Sequence, residues 1–205
     1  MKILNLYAGI GGNRKLWGNE HEITAVELDE DIAAIYKDFY PTDKVIVGDA
    51  HKYLLDNYKE FDFIWSSPPC PTHSRINFNF QKNLKYPAME LYQEIIFLRQ
   101  WFKGKYCVEN VIPYYPPLIP AKEYDRHLFW TNFLIGTSKY TNVQHILRGD
   151  LQTKAKIKEV ELDDLKKVNK SKVINNMVNS KTGQYILDCA TNVIRKEKTE
   201  QTKLF

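Results

Sequence analysis

Short apolar runs alternate along the chain with longer stretches in which apolar residues recur every three or four positions. Lys2 to Tyr7, Ile23 to Leu28, Val45 to Val47, Phe61 to Trp65 and Tyr106 to Val108 are short and rich in β-branched or aromatic residues, which predicts strands. Ile32, Ile35, Tyr36 and Phe39 recur at helical spacing and stop at Tyr40-Pro41; Leu91, Ile95, Leu98 and Phe102 do the same before Gly104. Leu128 to Leu134 predicts a further strand. Repeated strand-helix-strand units predict an α/β fold with a doubly wound, mostly parallel sheet over residues 1–135.

The pattern changes over residues 136–172, which are polar and carry Lys154, Lys156, Lys158, Lys166, Lys167, Lys170 and Lys172. This predicts a small excursion from the core, helical near Asp163 to Lys170. Residues 173–195 predict a last amphipathic helix returning to the core, with Ile186, Ala190 and Val193 on one face. From Arg195 onward, and over residues 196–205, charged residues predict a mobile tail.

At 205 residues and 43% hydrophobic, the chain is long enough for a domain with its own core. No run of 18 or more apolar residues predicts a membrane span, and no charged-then-apolar leader is visible. Cys70, Cys107 and Cys189 cannot all pair, which fits a reducing, cytoplasmic setting. A net charge of +4 permits a nucleic-acid partner without demanding one.

Candidate chemistry falls at the strand ends. The first strand runs into Tyr7-Ala8-Gly9-Ile10-Gly11-Gly12, where glycines let the backbone approach a ligand closely. Glu27, followed by Leu28 and Asp29, ends the second strand, where an acid can accept both hydroxyls of a ribose. Asp49, in Gly48-Asp49-Ala50, ends the third and suits an exocyclic adenine amine. No phosphate-binding lysine follows the glycines, so the pattern favours an adenosine without phosphates, with S-adenosyl-L-methionine the leading candidate. Each acid alone suits a turn cap equally well. The fourth strand ends in Ser67-Pro68-Pro69-Cys70, a stiff turn that aims a thiol at the sheet's ligand-binding edge. Cys107 and Cys189 lie inside apolar patterns and read as buried packing residues. Cys70 and His73 resemble half a zinc site, but no second pair has suitable spacing, so no metal is expected; His73 reads as a loop residue or a phosphate contact.

Taken in order, the glycine turn, Glu27-Leu28-Asp29, Gly48-Asp49, Pro69-Cys70 and Glu109-Asn110-Val111 resemble the motifs of DNA cytosine-5 methyltransferases, and Asn179-Ser180 resembles the family's last motif. The matches span about residues 3 to 190. The resemblance implies a Rossmann-like, S-adenosylmethionine-dependent fold and DNA as substrate. It implies that Tyr7 to Gly12, Glu27, Leu28, Asp49, Ala50, Pro69, Asn179 and Ser180 hold the cofactor. Cys70 is then the nucleophile toward C6 of an extruded cytosine. Glu109 contacts N3 and the exocyclic amine, Asn110 holds the loop in place, and Arg126 is a helper.

The chain also departs from that family. Its members carry two arginines spaced by one residue after the Glu-Asn-Val element; here Arg126 is followed by His127. Val178 stands where a glycine is usual. The space for target recognition is small, which predicts short or relaxed sequence specificity. The compact form is similar to enzymes of bacterial viruses and mobile elements, implying a bacterial or phage-infected cell. Gln201-Thr202-Lys203-Leu204-Phe205 resembles the peptide that docks bacterial sliding clamps, and Leu204 and Phe205 offer two apolar anchors. Three rivals stay open: a transfer-RNA cytosine-5 methyltransferase, an exocyclic-amine methyltransferase, and a non-catalytic adenosyl-ligand or DNA-binding protein.

Overall fold

The computed structural model describes residues 1–74, 86–136 and 150–193. Among them, β1 (Lys2–Leu6), β2 (Glu22–Glu27), β3 (Lys44–Val47), β4 (Phe63–Ser66), β5 (Lys105–Val111), β6 (Lys122–Tyr124) and β7 (His127–Thr131) form one sheet in the order β3-β2-β1-β4-β5-β7-β6. β1 to β5 run parallel, and β7 is antiparallel to both β5 and β6. The helices are α1 (Glu30–Phe39), α2 (Ala50–Asn57), α3 (Glu90–Trp101), α4 (Leu151–Ile157), α5 (Lys170–Asn176) and α6 (Ser180–Thr191). None of them is long and apolar enough to cross a membrane.

The central strands are apolar throughout because both faces of the sheet are covered. Leu4, Leu6, Ile64 and Val108 pack on one face with Leu54 of α2 and Leu91, Ile95 and Leu98 of α3. Ile3, Phe63, Trp65 and Cys107 point to the other face, against Trp17 and against Ile186, Leu187 and Ala190 of α6. This alternation follows from the period of two along a strand. Each fully buried aliphatic side chain contributes about 1.5–3 kcal/mol.

α1 contains the residues that recur at helical spacing and ends where expected. The Asp29 side chain accepts from the backbone N–H groups of Asp31 and Ile32 at 3.0 and 3.1 Å, and the helix stops before Pro41, whose ring disfavours helical backbone at Tyr40. The excursion expected over 136–172 is described from residue 150. It is not an arm reaching away from the core. Ala155, Val160, Leu165, Val173 and Ile174 pack with Ile10 of the glycine turn and with Ile35 of α1. Its helices also differ from expectation. Residues 163–169 form a turn and a bend rather than a helix, with Lys167 at φ 61°, and α5 begins at Lys170, capped by Asn169. In α6, Ile186 and Ala190 are buried as predicted, but Val193 is half exposed beyond the helix end, because Asn192 adopts the left-handed conformation that terminates it. Residues 137–149 and the tail bearing Gln201, Leu204 and Phe205 lie outside the described residues.

Candidate active site

The strand order reverses between β1 and β4. In open α/β sheets a ligand crevice opens at such a point, beyond the carboxyl ends of the strands. The glycine turn leaves β1 there and Ser67-Pro68-Pro69-Cys70 leaves β4 there. Glu27, Asp49 and Glu109 lie at the same edge.

Tyr7 and Gly9 both have positive φ, 54° each, and Gly11 has φ 78°. Gly11 and Gly12 are needed for close packing. A Cβ on Gly11 would sit 2.3 Å from the Tyr40 ring, and one on Gly12 would sit 2.5 Å from the Val178 carbonyl oxygen. Gly9 differs, since a Cβ there would meet nothing within 4 Å. It faces open space and is the point in the turn where a ligand can approach the backbone. Ile10 and Ala50 are buried and pack into the core.

Glu27 binds the turn directly. Its Oε2 accepts from Gly9 N–H at 2.8 Å, and its Oε1 accepts from the N–H groups of Leu28 and Asp29 at 2.9 and 3.1 Å. A carboxylate has about four acceptor sites, so capacity for a hydroxyl remains. Leu28, 72% exposed, offers an apolar surface beside it. Asp49 is exposed and caps α2, accepting from Lys52 N–H at 2.9 Å through Oδ1. The acids therefore order the loops and leave acceptor capacity at the crevice. An open glycine, two acids and an exposed leucine fit an adenosyl ligand, and the negative charge disfavours a polyphosphate.

Beneath the turn is a residue that the sequence reading missed. Glu94 of α3 is fully buried. Its carboxylate accepts from Tyr7 Oη and Ser66 Oγ, each at 2.5 Å, and lies 3.1 Å from His51 Nδ1. One carboxylate thus joins the glycine turn, the end of β4 and the start of α2. Burial, then the Glu94 charge, keeps the Tyr7 phenol protonated far above its ordinary range, and the hydrogen bond to Glu94 raises the His51 pKa. The signal was an acid inside the apolar stripe of Leu91, Ile95 and Leu98.

Cys70 is partly exposed, whereas Cys107 is fully buried. Burial and then the Glu109 carboxylate push the Cys70 thiol up. Glu109 itself is only 5% exposed. Asn110, also buried, donates from Nδ2 to the Pro68 carbonyl at 2.9 Å, and its Oδ1 accepts from Val111 N–H at 3.0 Å. It therefore fixes the turn that carries the thiol. His73 is buried, with Nδ1 2.5 Å from Tyr115 Oη, and its N–H donates to the Cys70 carbonyl at 3.0 Å. It is a loop-holding residue, and its burial removes it from contact with a phosphate.

The β6–β7 turn completes the edge. Asp125, Arg126 and His127 line a small crevice with Lys158, Met177 and Asn179. Asn179 caps α6, accepting from Lys181 N–H at 2.9 Å, and Ser180 is buried behind it. Lys158 is buried too, its Nζ donating to the carbonyls of Ile174 and Met177; burial, with Arg126 and Lys154 nearby, lowers its pKa to about 8. His127 Nε2 is 3.5 Å from Glu109 Oε1. A cavity of about 440 Å³ lies instead at the amino edge beside Tyr106 and Asn132. No carboxylate, thiol or imidazole lines it, so its size does not make it the reaction site.

A doubly wound sheet with an open glycine turn, an acid at each of the next two strand ends and a partly exposed thiol across the switch point defines a methyltransferase of the S-adenosylmethionine-dependent type. The sequence pattern of the C-5 cytosine-specific DNA methylase family matches residues 1–112, and the chain belongs to that family. None of the curated proteins matches this chain. Among solved structures, it is similar to a Spodoptera frugiperda DNMT2 mutant, with 27% identity over 54% of this chain and 35% of that one and a TM-score of 0.39. It is also similar to a hypothetical protein of Thermus thermophilus, with 16% identity over 63% of this chain and 73% of that one and a TM-score of 0.46. A SAM-dependent methyltransferase from Agrobacterium tumefaciens shares 15% identity over 56% of this chain and 40% of that one, with a TM-score of 0.43. The matched region thus spans well under two thirds of the DNMT2 and Agrobacterium chains.

Proposed function

We propose that this protein transfers a methyl group from S-adenosylmethionine to C5 of cytosine in DNA, through a covalent bond between Cys70 and C6 of an extruded base. The observation that carries the reading is the pairing of Cys70 with Glu109: a partly exposed thiol at the carboxyl edge lies within the electrostatic field of a buried carboxylate.

C5 of cytosine is a weak nucleophile. Addition of the Cys70 thiolate to C6 turns the ring into an enamine and makes C5 nucleophilic. Glu109 meets N3 and the exocyclic amine and favours protonation at N3 as the thiolate adds. The stiff Pro68-Pro69 turn and its tie to Asn110 aim the sulfur. Glu27, Leu28, Asp49, the backbone of Gly9 and the residues around Asn179 bind and orient the cofactor, which supplies an electrophilic methyl group on sulfonium. The target base must leave the stack, because neither face of the ring is reachable within a duplex. Exposed Lys156, Lys166, Lys167 and Lys172 suit phosphate contact, which gives affinity rather than base readout.

The test is nucleoside analysis after parallel incubation of duplex DNA and transfer RNA with labelled cofactor. 5-Methylcytosine in DNA supports the proposal. 5-Methylcytosine in transfer RNA alone moves the substrate to RNA, and N4-methylcytosine or N6-methyladenine overturns the Cys70 chemistry.

A further inference from the structure

We infer that His127 is the positioning and proton partner of Glu109, coupling the charge of that acid to a group that can lend and retake a proton. This rests on the reading that Glu109 meets N3 of the pyrimidine.

The antiparallel register creates the contact. Glu109 lies opposite Phe129 and Val111 lies opposite His127, so His127 is the diagonal neighbour of Glu109 on one face of the β5–β7 pair. Long side chains on such diagonals reach each other. Nε2 of His127 is 3.5 Å from Oε1 of Glu109, inside ion-pair range and longer than a hydrogen bond. Catalytic hydrogen bonds of this kind are often long in the free enzyme and tighten with substrate bound. Nδ1 of the same ring is buried and has no hydrogen-bond partner among the described residues. The ring is therefore not held by a competing acceptor.

The other charged groups around it are accounted for. Asp125 and Arg126 are on the same turn, and Thr182 Oγ1 donates to Asp125 Oδ2 at 3.0 Å. Lys158 faces the crevice from the end of α4, but its ammonium is committed to the Ile174 and Met177 carbonyls. Cys70 feels the charge of Glu109. Among the described residues, the His127 imidazole is the basic group within ion-pair distance of Glu109.

A buried carboxylate needs a cation or a proton. A permanently charged partner would hold Glu109 ionised, whereas an imidazole can do either. The steps balance. As the Cys70 thiolate, its proton released to water, bonds through Sγ to C6, the C5=C6 pair moves to C4–C5, and the C4=N3 pair takes a proton relayed from the His127 imidazolium through the Glu109 carboxylate. The C4=C5 pair then takes the methyl group as the donor's sulfonium S–CH3 bond breaks and C4=N3 re-forms; water takes the C5 proton, the C6–S bond breaks as C5=C6 re-forms, and the N3 proton returns through Glu109 to His127.

The experiment is a pair of variants, H127Q and H127R, compared with the native protein in single-turnover methylation of duplex DNA across pH, alone and with Glu109→Gln. H127Q is expected to lower the rate at least about tenfold with cofactor affinity unchanged, and to remove an ionisation from the pH–rate profile that H127R does not restore. In the Glu109→Gln background, H127Q is expected to change nothing further, because both act through one proton. H127Q within twofold of the native rate at every pH overturns the inference. So do losses that multiply in the double variant, especially with a lowered melting temperature, since these assign His127 a structural role alone. Absence of 5-methylcytosine from the native reaction overturns the inference and the proposed function together; an active native enzyme with an unresponsive H127Q overturns the inference alone.

Discussion

The side-chain amide of Asn110 donates to the carbonyl of Pro68 at 2.9 Å, joining β5 to the loop that carries Cys70 across 42 residues of sequence. Neither residue needs to touch a substrate for this bond to matter, because it sets where the sulfur points.

Asn110→Ala is therefore expected to slow methyl transfer about 10- to 100-fold, the scale of loss caused by a small misplacement of a reacting group. It leaves the buried Pro68 carbonyl without this partner and should cost about 1–3 kcal/mol of stability. Cofactor affinity, measured by calorimetry, should stay nearly native, because the glycine turn and Glu27 are untouched. Equal loss of affinity and rate would assign Asn110 to the cofactor site.

Glu109 raises the Cys70 pKa along with burial. Alkylation of Cys70 by iodoacetamide should therefore be slow near neutral pH and accelerate as pH rises. Glu109→Gln removes the repelling charge and should speed alkylation at a given pH while it suppresses methylation. Opposite effects on the two rates, read by peptide mass spectrometry and nucleoside analysis, separate the electrostatic role of Glu109 from a packing role.

Glu94→Leu should be severely destabilising, by several kcal/mol, because it leaves Tyr7, Ser66 and His51 facing an apolar side chain. Denaturant titration measures it. The hub also predicts a pH dependence. The hydrogen bond to Glu94 raises the folded-state pKa of His51 above its ordinary 6.5. His51 therefore contributes stability that is fully present below about pH 6.5 and is lost as pH rises through the raised value. His51→Gln should lack this decline.

Gly183→Ala should destabilise by about 1–3 kcal/mol. The added methyl would stand 2.2 Å from the Asn13 carbonyl oxygen, where α6 meets the turn at Asn13–Leu16. At about 2–4 °C per kcal/mol for a chain of this size, the shift is readable by thermal melting.

The parts of this fold legible in the sequence are those where local pattern and tertiary burial coincide. Strands such as Phe63–Ser66 are buried on both faces and read as continuous apolar runs. α2 was missed because it buries little besides Ala50 and Leu54, and β6 because only Tyr124 of its three residues is buried. α4 and α5 lie in a lysine-rich stretch, and their few apolar residues make sense only against Ile10 and Ile35, far away in sequence. Within the site, the carboxylates were legible as acids at strand ends, but Asp29 and Asp49 show that the same side chain serves as a helix cap. The contact between His127 and Glu109 depends on the antiparallel register of β7, which no spacing in the sequence specifies.

The central claim is that Cys70 forms the bond to the pyrimidine ring. It is tested most directly by incubating the protein with S-adenosylmethionine and duplex DNA containing 5-fluorocytosine, then mapping the covalent complex by mass spectrometry. An adduct is expected on the peptide bearing Cys70, formed by the native protein and absent from Cys70→Ser. An adduct on another residue, or none from a folded protein that binds its cofactor and methylates unmodified DNA, would contradict it.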